Sequence, residues 1–124
     1  MRNDIDTSAL DYLRSLTLLC VEDNETTQLI YTSIFQDNVK EIIFANNGKD
    51  GLEKFALYDI DIVLSDYNMP LLNGIEMIKH IREIDAKVPI VLVTAIQEVD
   101  VIIEALQLGV TNFLKKPIVA SEMI

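Results

Sequence analysis

The chain has no tryptophan, one cysteine, four glycines and three prolines among its 124 residues. A single cysteine cannot form an internal disulfide, so burial of apolar surface has to stabilise the fold. The scarcity of glycine and proline excludes collagen-like and low-complexity organisation. Half of the residues are hydrophobic and 24% are charged, a composition that predicts one packed domain with one core.

Basic residues are also scarce, with 10 lysines and arginines against 20 acidic residues and a net charge of −10. Such a balance argues against direct contact with nucleic acid phosphates. No apolar stretch approaches the roughly 20 residues that a bilayer-spanning helix needs, and residues 1–8 lack the apolar centre of a signal peptide. We therefore expect no direct contact with nucleic acid or membrane, and a cytoplasmic, reducing location with Cys20 in the core.

Short hydrophobic runs alternate with longer amphipathic stretches, which is the pattern of βα repeats. Strands are predicted near 16–21, 40–45, 60–65, 88–93 and 110–114. Helices are predicted near 24–37, 47–57, 73–84, 97–108 and from 118 to the end. Because several strand segments are almost wholly apolar, they are typical of parallel strands covered on both faces. The sequence predicts an α/β domain with a five-stranded parallel sheet and helices on both faces.

The two ends of the chain are less regular. Ser8 and Asp11 stand at capping-box spacing, which predicts a short extra N-terminal helix within an extension over 1–15. The main domain is then expected over 16–124. After Pro117 only about two helical turns remain, which is short for a helix that covers a sheet. Either the natural protein continues beyond Ile124 or the N-terminal helix helps to cover apolar surface there, and we favour continuation, so that the chain is a fragment whose last helix is truncated.

Polar groups follow the predicted strands at the point where each strand ends: Glu22, Asp23, Asp66, Thr94 and Lys116. The carboxyl ends of parallel strands meet at one rim of a sheet, where open α/β sheets bind ligands. Two carboxylates roughly 4 Å apart repel by about 4 kcal/mol at an effective dielectric near 20, so such a cluster favours a bound cation. Hard oxygen ligands favour Mg²⁺, or Mn²⁺ in substitution, over zinc.

A carboxylate such as Asp66 is also a nucleophile toward phosphorus. That reaction requires a metal to neutralise charge and donors for the phosphoryl oxygens. Lys116 offers a positive charge, and Thr94 offers a hydroxyl. Each group has a plainer interpretation as well: the acid pair as capping residues of the first helix, the lysine as a solvated side chain, and the threonine as an ordinary strand end.

Taken in order, four segments resemble the receiver domain of bacterial two-component response regulators. The segments are Val21-Glu22-Asp23, Asp66-Tyr67-Asn68-Met69-Pro70 with Gly74, Val93-Thr94-Ala95, and Phe113-Leu114-Lys115-Lys116-Pro117-Ile118. The resemblance covers about 16–118. It implies a flavodoxin-like, doubly wound sheet with strand order 2-1-3-4-5.

The resemblance also implies roles for individual residues at the acidic rim. Asp66 corresponds to the phosphoacceptor, which receives a phosphoryl group from a histidine kinase or a histidine phosphotransfer protein. Asp23 corresponds to the direct Mg²⁺ ligand, Glu22 to the acid that holds metal-bound water, and Asn68 to the residue whose backbone carbonyl completes the coordination. The domain is then regulatory, and it catalyses only its own phosphorylation and dephosphorylation.

Three further positions match the residues that sense the phosphoryl group in this family. Lys116 corresponds to the family's lysine, Thr94 to the switch hydroxyl and Phe113 to the switch aromatic residue. Phenylalanine in place of tyrosine at the last position means that any switch is transmitted by ring packing alone.

The fourth predicted helix has more apolar residues than one core-facing stripe needs. At 100° per residue, one stripe is predicted to face the sheet: Val99, Ile102, Ile103 and Leu106. The opposite stripe consists of Val101, Ala105 and Leu108. Because receivers commonly bind partners or dimerise through this helix, the last strand and the last helix, we predict a partner surface on that second stripe.

Three other functions remain to be weighed against a receiver. A phosphatase of the haloacid dehalogenase type carries Asp-x-Asp directly after the first strand, where this chain has Glu22-Asp23-Asn24-Glu25. A flavin-binding domain of similar fold needs a phosphate loop there, and the acids would repel the phosphate. A phosphorylation-independent scaffold would not need the phosphoacceptor, the metal-ligating residues and the switch residues together. The cognate kinase and the output are not specified by the sequence.

Overall fold

The computed structural model describes residues 12–95 and 98–115. Most of the predicted N-terminal helix, the final helix and Lys116 lie outside these residues, and Tyr12 and Leu13 are helical. The described elements, in chain order, are β1 Thr17–Val21, α1 Glu25–Phe35, β2 Glu41–Ala45, α2 Gly48–Leu57, β3 Ile62–Asp66, α3 Gly74–Ile84, β4 Ile90–Thr94, α4 Val99–Gln107 and β5 Asn112–Lys115. Within the described ranges, no helix is both long enough and apolar enough to span a bilayer.

All strand pairs of the sheet are parallel, and the order is β2-β1-β3-β4-β5. The predicted fold class and strand order are therefore confirmed. Each strand starts one or two residues later than predicted, because the first residues of the hydrophobic runs belong to the connections. In one such connection, the Thr17 amide donates to the Asp61 carboxylate at 2.8 Å, and the Asp61 amide donates to the Thr17 carbonyl at 3.0 Å.

Apolar side chains cover both faces of the sheet, and alternation along the strands divides them. Leu19 and Val21 of β1 belong to the larger cluster, which packs under α2, α3 and α4. Leu18 and Cys20 belong to the smaller cluster, together with Tyr31 of α1. Cys20 is fully buried, as predicted for a core thiol.

Asparagine residues cap the three helices that follow β1, β2 and β3. The side chains of Asn24, Asn47 and Asn73 accept hydrogen bonds from backbone amides in the first turn of α1, α2 and α3, respectively. Asn73 and Glu76 form a reciprocal capping box. Because such caps satisfy amides that have no partner within the helix, each cap fixes the start of the helix that follows the strand.

The predicted orientation of α4 is wrong. Ala105 is fully buried, and Val101 and Leu108 are partly buried against the larger cluster. The exposed apolar residues of α4 are Val99, Ile103 and Leu106, each at least half exposed. The residues predicted to form a partner surface therefore pack inward, and part of the stripe predicted to face the sheet is in solvent.

The contacts at the end of α4 explain this orientation. Gly109 has a φ of 81°, the left-handed conformation that terminates the helix. Arg82 of α3 donates from Nε to the Leu108 carbonyl at 2.7 Å and from Nη1 to the Val88 carbonyl at 2.9 Å. The small Ala105 lets the helix approach the sheet closely, and Val110 is buried directly after the turn. These contacts, which join segments distant in sequence, decide which stripe of α4 faces inward.

Candidate functional site

Three acidic side chains converge at the carboxyl rim of the sheet. Carboxylate oxygens of Glu22, Asp23 and Asp66 all lie within 4.8 Å of one another. The register explains this convergence: Val21 of β1 pairs with Ser65 of β3, so Glu22 and Asp66 are the next residues of two adjacent parallel strands. The structure thus brings together the three acids that the sequence placed at this rim.

Burial makes this cluster electrostatically unfavourable without a cation. Glu22 is 4% exposed and Asp66 is 5% exposed, whereas Asp23 is exposed. Loss of solvation raises the pKa of Glu22 to about 7, and the charges of Asp66 and Asp23 act in the same direction. The Asn24 amide opposes the shift by donating to a Glu22 carboxylate oxygen at 3.0 Å. Glu22 therefore retains a proton at a pH where an ordinary glutamate is ionised.

The donor set fits Mg²⁺. All three groups are hard carboxylate oxygens, and opposite ligands of an octahedral Mg²⁺ lie about 4.2 Å apart. The observed limit of 4.8 Å requires only small side-chain adjustments. Helix capping does not account for the cluster, because the side-chain cap of α1 is Asn24.

A glycine holds the end of β3 against the start of α3. The Gly74 amide donates to the Tyr67 carbonyl at 2.8 Å, and the Tyr67 amide donates to the Val93 carbonyl at 3.1 Å. A Cβ atom at Gly74 would lie 2.5 Å from the Asp66 carbonyl oxygen and 3.0 Å from the Tyr67 Cα. Only glycine allows this approach, so the backbone of Asp66 is fixed by α3.

Asn68 and Leu71 lie in the exposed loop that joins β3 to α3. Asn68 comes two residues after Asp66. Leu71 has a φ of 71°, an unfavourable value for a residue with a side chain, and is 77% exposed.

Thr94 and Phe113, the predicted switch residues, lie on β4 and β5. Thr94 is 3% exposed, and its hydroxyl has no hydrogen-bond partner among residues 12–95 and 98–115. In the β3–β4 register Val93 pairs with Asp66, so Thr94 lies one residue further toward the rim. Phe113 is partly buried against the larger cluster. Lys115 pairs with Thr94 in the β4–β5 register, and Lys116 follows it outside the described residues.

Two side chains of α1 at this site were not identified from the sequence. Gln28 donates to the Glu22 carbonyl at 2.5 Å and to the Asn46 side chain at 3.2 Å, which ties α1 to the ends of β1 and β2. Tyr31 is 1% exposed, and burial together with Cys20, Glu22 and Asp66 raises its pKa. A phenol at a core-facing position of the first helix is the signal that would have identified Tyr31.

The pKa of Glu22 predicts how stability depends on pH. Between about pH 4.5 and pH 7 the folded state holds a proton on Glu22 that the unfolded state has lost. The metal-free protein therefore loses stability from this group as the pH rises through that window, by up to about 3 kcal/mol. We expect Mg²⁺ to raise the melting temperature more at about pH 8 than at about pH 5. Thermal unfolding with and without Mg²⁺ measures both effects.

Glu22→Gln is the matched variant for this measurement, because it keeps the shape of the side chain and removes its titration. The difference in melting temperature between the two proteins should widen as the pH rises from about 5 to about 8 without metal. A difference that stays constant over this range contradicts the prediction.

Comparison with known proteins gives a consistent result. Residues 18–124 match the response regulator receiver domain family. The chain is 31% identical over 108 residues to the chemotaxis protein CheY of Bacillus subtilis (strain 168). The alignment covers 86% of this chain and 90% of that protein. It is 33% identical over 106 residues to the regulatory protein AtoC of Escherichia coli (strain K12). That alignment covers 86% of this chain but only 23% of AtoC.

Solved structures agree with this assignment. The N-terminal domain of an uncharacterised protein from Wolinella succinogenes has a TM-score of 0.81 and 32% identity, with 88% of each chain covered. A chain of the CheX–CheY–BeF3–Mg²⁺ complex from Borrelia burgdorferi has a TM-score of 0.80 and 26% identity, with 86% of this chain and 82% of that chain covered. The chain belongs to the response regulator receiver domain family, a family of regulatory domains.

Proposed function

We propose that this chain is a phosphorelay receiver that accepts a phosphoryl group on Asp66. The observation that supports this most directly is the convergence of the buried Asp66 with Glu22 and Asp23 at one rim of the sheet. The phosphodonor is a phosphohistidine on a histidine kinase or a histidine phosphotransfer protein. The domain division, with an extension over 1–15 and the receiver over 16–124, is part of this proposal.

The chemistry is a transfer between a nitrogen and an oxygen. A carboxylate oxygen of Asp66 forms a bond to phosphorus, the bond from phosphorus to the histidine nitrogen breaks, and the imidazole keeps the electron pair. Mg²⁺, when bound, neutralises charge on the carboxylates and on the transferring group. Asp23, Asp66 and the backbone carbonyl of Asn68 would hold it, and Glu22 would hold water bound to it. Hydrolysis of the acyl phosphate later restores the Asp66 carboxylate and releases phosphate.

Two other residues stabilise the phosphoryl group, and one transmits its presence. Thr94 donates its buried hydroxyl to a phosphoryl oxygen, and Lys116 pairs with another oxygen through its ammonium group. Movement of Thr94 toward the phosphoryl group frees space that the Phe113 ring occupies. A coupling free energy of about 1–3 kcal/mol between the site and a distant surface suffices for a 5- to 150-fold change in partner affinity.

Incubation with acetyl phosphate tests this function. We expect one phosphoryl group per chain, detected by intact-protein mass spectrometry, only when Mg²⁺ is present. Sustained turnover of a small phosphoester would instead indicate a phosphatase, and yellow colour in the purified protein would indicate a flavin-binding domain.

The exposed apolar face of α4 is the surface that we propose for output. It is formed by Val99, Ile103 and Leu106, and it replaces the stripe that the sequence predicted. Glu104 on the same helix pairs with Lys79 of α3 at 2.9 Å, so charged groups border the apolar face. A small apolar area with a charged border is the usual composition of a transient protein interface.

We predict that charged substitutions on this face weaken self-association. We expect phosphorylated wild type to dimerise through α4 and the double variant Ile103→Glu, Leu106→Glu to weaken the dimer at least about tenfold, because two carboxylates would have to be desolvated. Sedimentation velocity across a concentration series measures the change.

The control is the double variant Leu57→Glu, Ile84→Glu, which adds the same charge at exposed apolar positions on α2 and α3. Labelling of Asp66 should be equal in all three proteins. A phosphorylated wild type that remains monomeric, or a dimer that survives substitution of α4, contradicts the prediction.

A further inference from the structure

Tyr31 brings a polar group into an otherwise apolar part of the core. The side chain is 1% exposed, and its hydroxyl has no hydrogen-bond partner within the part of the chain that the structure describes. Its neighbours in the smaller cluster are Leu18, Cys20, Leu64 and Val93. A buried hydroxyl without a partner is destabilising, and a phenylalanine ring would fill the same space. Packing therefore accounts for the ring of Tyr31 but not for its hydroxyl.

The position of Tyr31 relates that hydroxyl to the acidic cluster. Side chains alternate along a strand, so Glu22 lies on the same face of the sheet as Cys20, and Asp66 lies on the same face as Leu64. Both of these apolar neighbours pack with Tyr31. The two carboxylates are therefore the next side chains on this face, in the direction of the rim.

The direction of α1 brings the phenol toward that rim. The helix starts at Asn24, directly after the acids, and helical side chains lean toward the N-terminus of their helix. The ring of Tyr31 therefore extends from the middle of α1 toward the acidic rim. Burial raises the pKa of this phenol, and the charges of Cys20, Glu22 and Asp66 act in the same direction.

We propose that Tyr31 is a positioning residue of this site, and that its hydroxyl donates a hydrogen bond to the Glu22 carboxylate when the site binds a divalent cation. Glu22 accepts from the Asn24 amide through Oε2, and an ionised carboxylate accepts several hydrogen bonds through its two oxygens. Glu22 is 4% exposed, so bulk water is a poor source of further donors to its carboxylate. The phenol supplies a hydrogen-bond donor to the carboxylate from the core side of Glu22, so no water molecule is needed there as a donor. This inference rests on the proposed function, in that Glu22 belongs to the cation site.

Nuclear magnetic resonance of the intact chain tests the hydrogen bond directly. The protein contains four tyrosines, so labelling with tyrosine enriched in ¹³C at Cζ gives few resonances, and Tyr31→Phe identifies the one from Tyr31. We expect this resonance to shift when Mg²⁺ is added, because Cζ responds to hydrogen bonding of the attached oxygen. The resonance of Tyr58, which is exposed at the end of α2, should not move.

Binding of Mg²⁺ to Tyr31→Phe, measured by calorimetry, gives the functional consequence. We expect affinity to fall about tenfold, since a hydrogen bond to a charged group contributes about 1.4 kcal/mol or more, the equivalent of that factor. The melting temperature without metal should stay equal or rise, because an unmatched hydroxyl is removed. A purely structural Tyr31 would give the opposite combination, with lower stability and unchanged affinity.

Tyr58→Phe is the matched control, since it removes a phenol hydroxyl at the end of a helix remote from the rim. A Tyr31 resonance that does not respond to Mg²⁺, or an affinity of Tyr31→Phe equal to wild type, overturns the inference. Neither measurement uses a phosphodonor. Failure of wild type to be labelled by acetyl phosphate while Mg²⁺ still shifts the Tyr31 resonance would therefore count against the proposed function alone.

Discussion

Asp66→Asn will reduce labelling by acetyl phosphate to background, a loss of at least about a thousandfold. The substitution keeps the size of the side chain, but an amide oxygen is a poor nucleophile toward phosphorus. It also removes one of the three charges in the acidic cluster, so the variant should fold and melt at a temperature equal to or above that of wild type. Intact-protein mass spectrometry in saturating Mg²⁺ measures labelling, and thermal unfolding verifies the fold.

Two controls make this result specific. Asp59→Asn removes an exposed carboxylate that precedes β3, at the end of the strands opposite the acidic rim, and this variant should be labelled like wild type. Asp23→Asn keeps the nucleophile and weakens the cation site, so higher Mg²⁺ concentrations should partly restore its labelling. Undiminished labelling of Asp66→Asn would show that the phosphoryl group is carried elsewhere.

Gly74→Ala will destabilise the protein by about 1–3 kcal/mol, although alanine is the better helix former. The new Cβ would lie 2.5 Å from the Asp66 carbonyl oxygen and 3.2 Å from Leu92 Cδ1, so the strand end and α3 have to separate. The same displacement moves Asp66 away from Glu22 and Asp23. We therefore expect a lower denaturant midpoint together with weaker Mg²⁺ binding.

Gly51→Ala on α2 is the comparison for this prediction. Its Cβ would lie 2.8 Å from the Met77 sulfur and 2.9 Å from Val21 Cγ2, both side-chain atoms, whereas the closest contact at Gly74 is 2.5 Å from a backbone oxygen. The loss of stability should be smaller than for Gly74→Ala. If Gly74→Ala is as stable as wild type and binds Mg²⁺ equally, the backbone of Asp66 is not fixed in the way that we describe.

The fold was predictable because its signals are local. Alternation of apolar runs with amphipathic stretches located the five strands, and turn signals such as Asn47-Gly48 located helix starts. The strand order came from the resemblance to receivers, and the structure confirms it. Element ends were less accurate, because residues such as Asp61 make connecting hydrogen bonds that hydropathy does not distinguish from strand pairing.

The acidic rim was predictable for a similar reason. Glu22, Asp23 and Asp66 each follow a hydrophobic run, and parallel pairing brings the ends of such runs together. The burial of Glu22 and the resulting rise of its pKa were not predictable, since they depend on how closely neighbouring elements cover the rim. The contribution of α1 through Tyr31 depends equally on which face of the sheet that helix covers.

The orientation of α4 shows most clearly where sequence patterns fail. Two apolar stripes lie on this helix, and periodicity alone gives no physical reason to prefer either as the buried one. The bulkier stripe was predicted to face the sheet, yet the fully buried residue is the small Ala105. Arg82 of α3 donates to the Leu108 carbonyl at the end of α4, a contact between segments distant in sequence that periodicity does not show.

Sequence by itself determined the class of fold, the parallel arrangement and the identity of the acids at the rim, because these follow from short-range periodicity and from where each run stops. Only the tertiary structure decided which stripe of α4 is exposed, how far Glu22 is buried and that the hydroxyl of Tyr31 is buried without a hydrogen-bond partner among residues 12–95 and 98–115. Those properties depend on contacts between elements far apart in the chain. Such contacts contribute to the free energy of folding only once the helices are packed on the sheet.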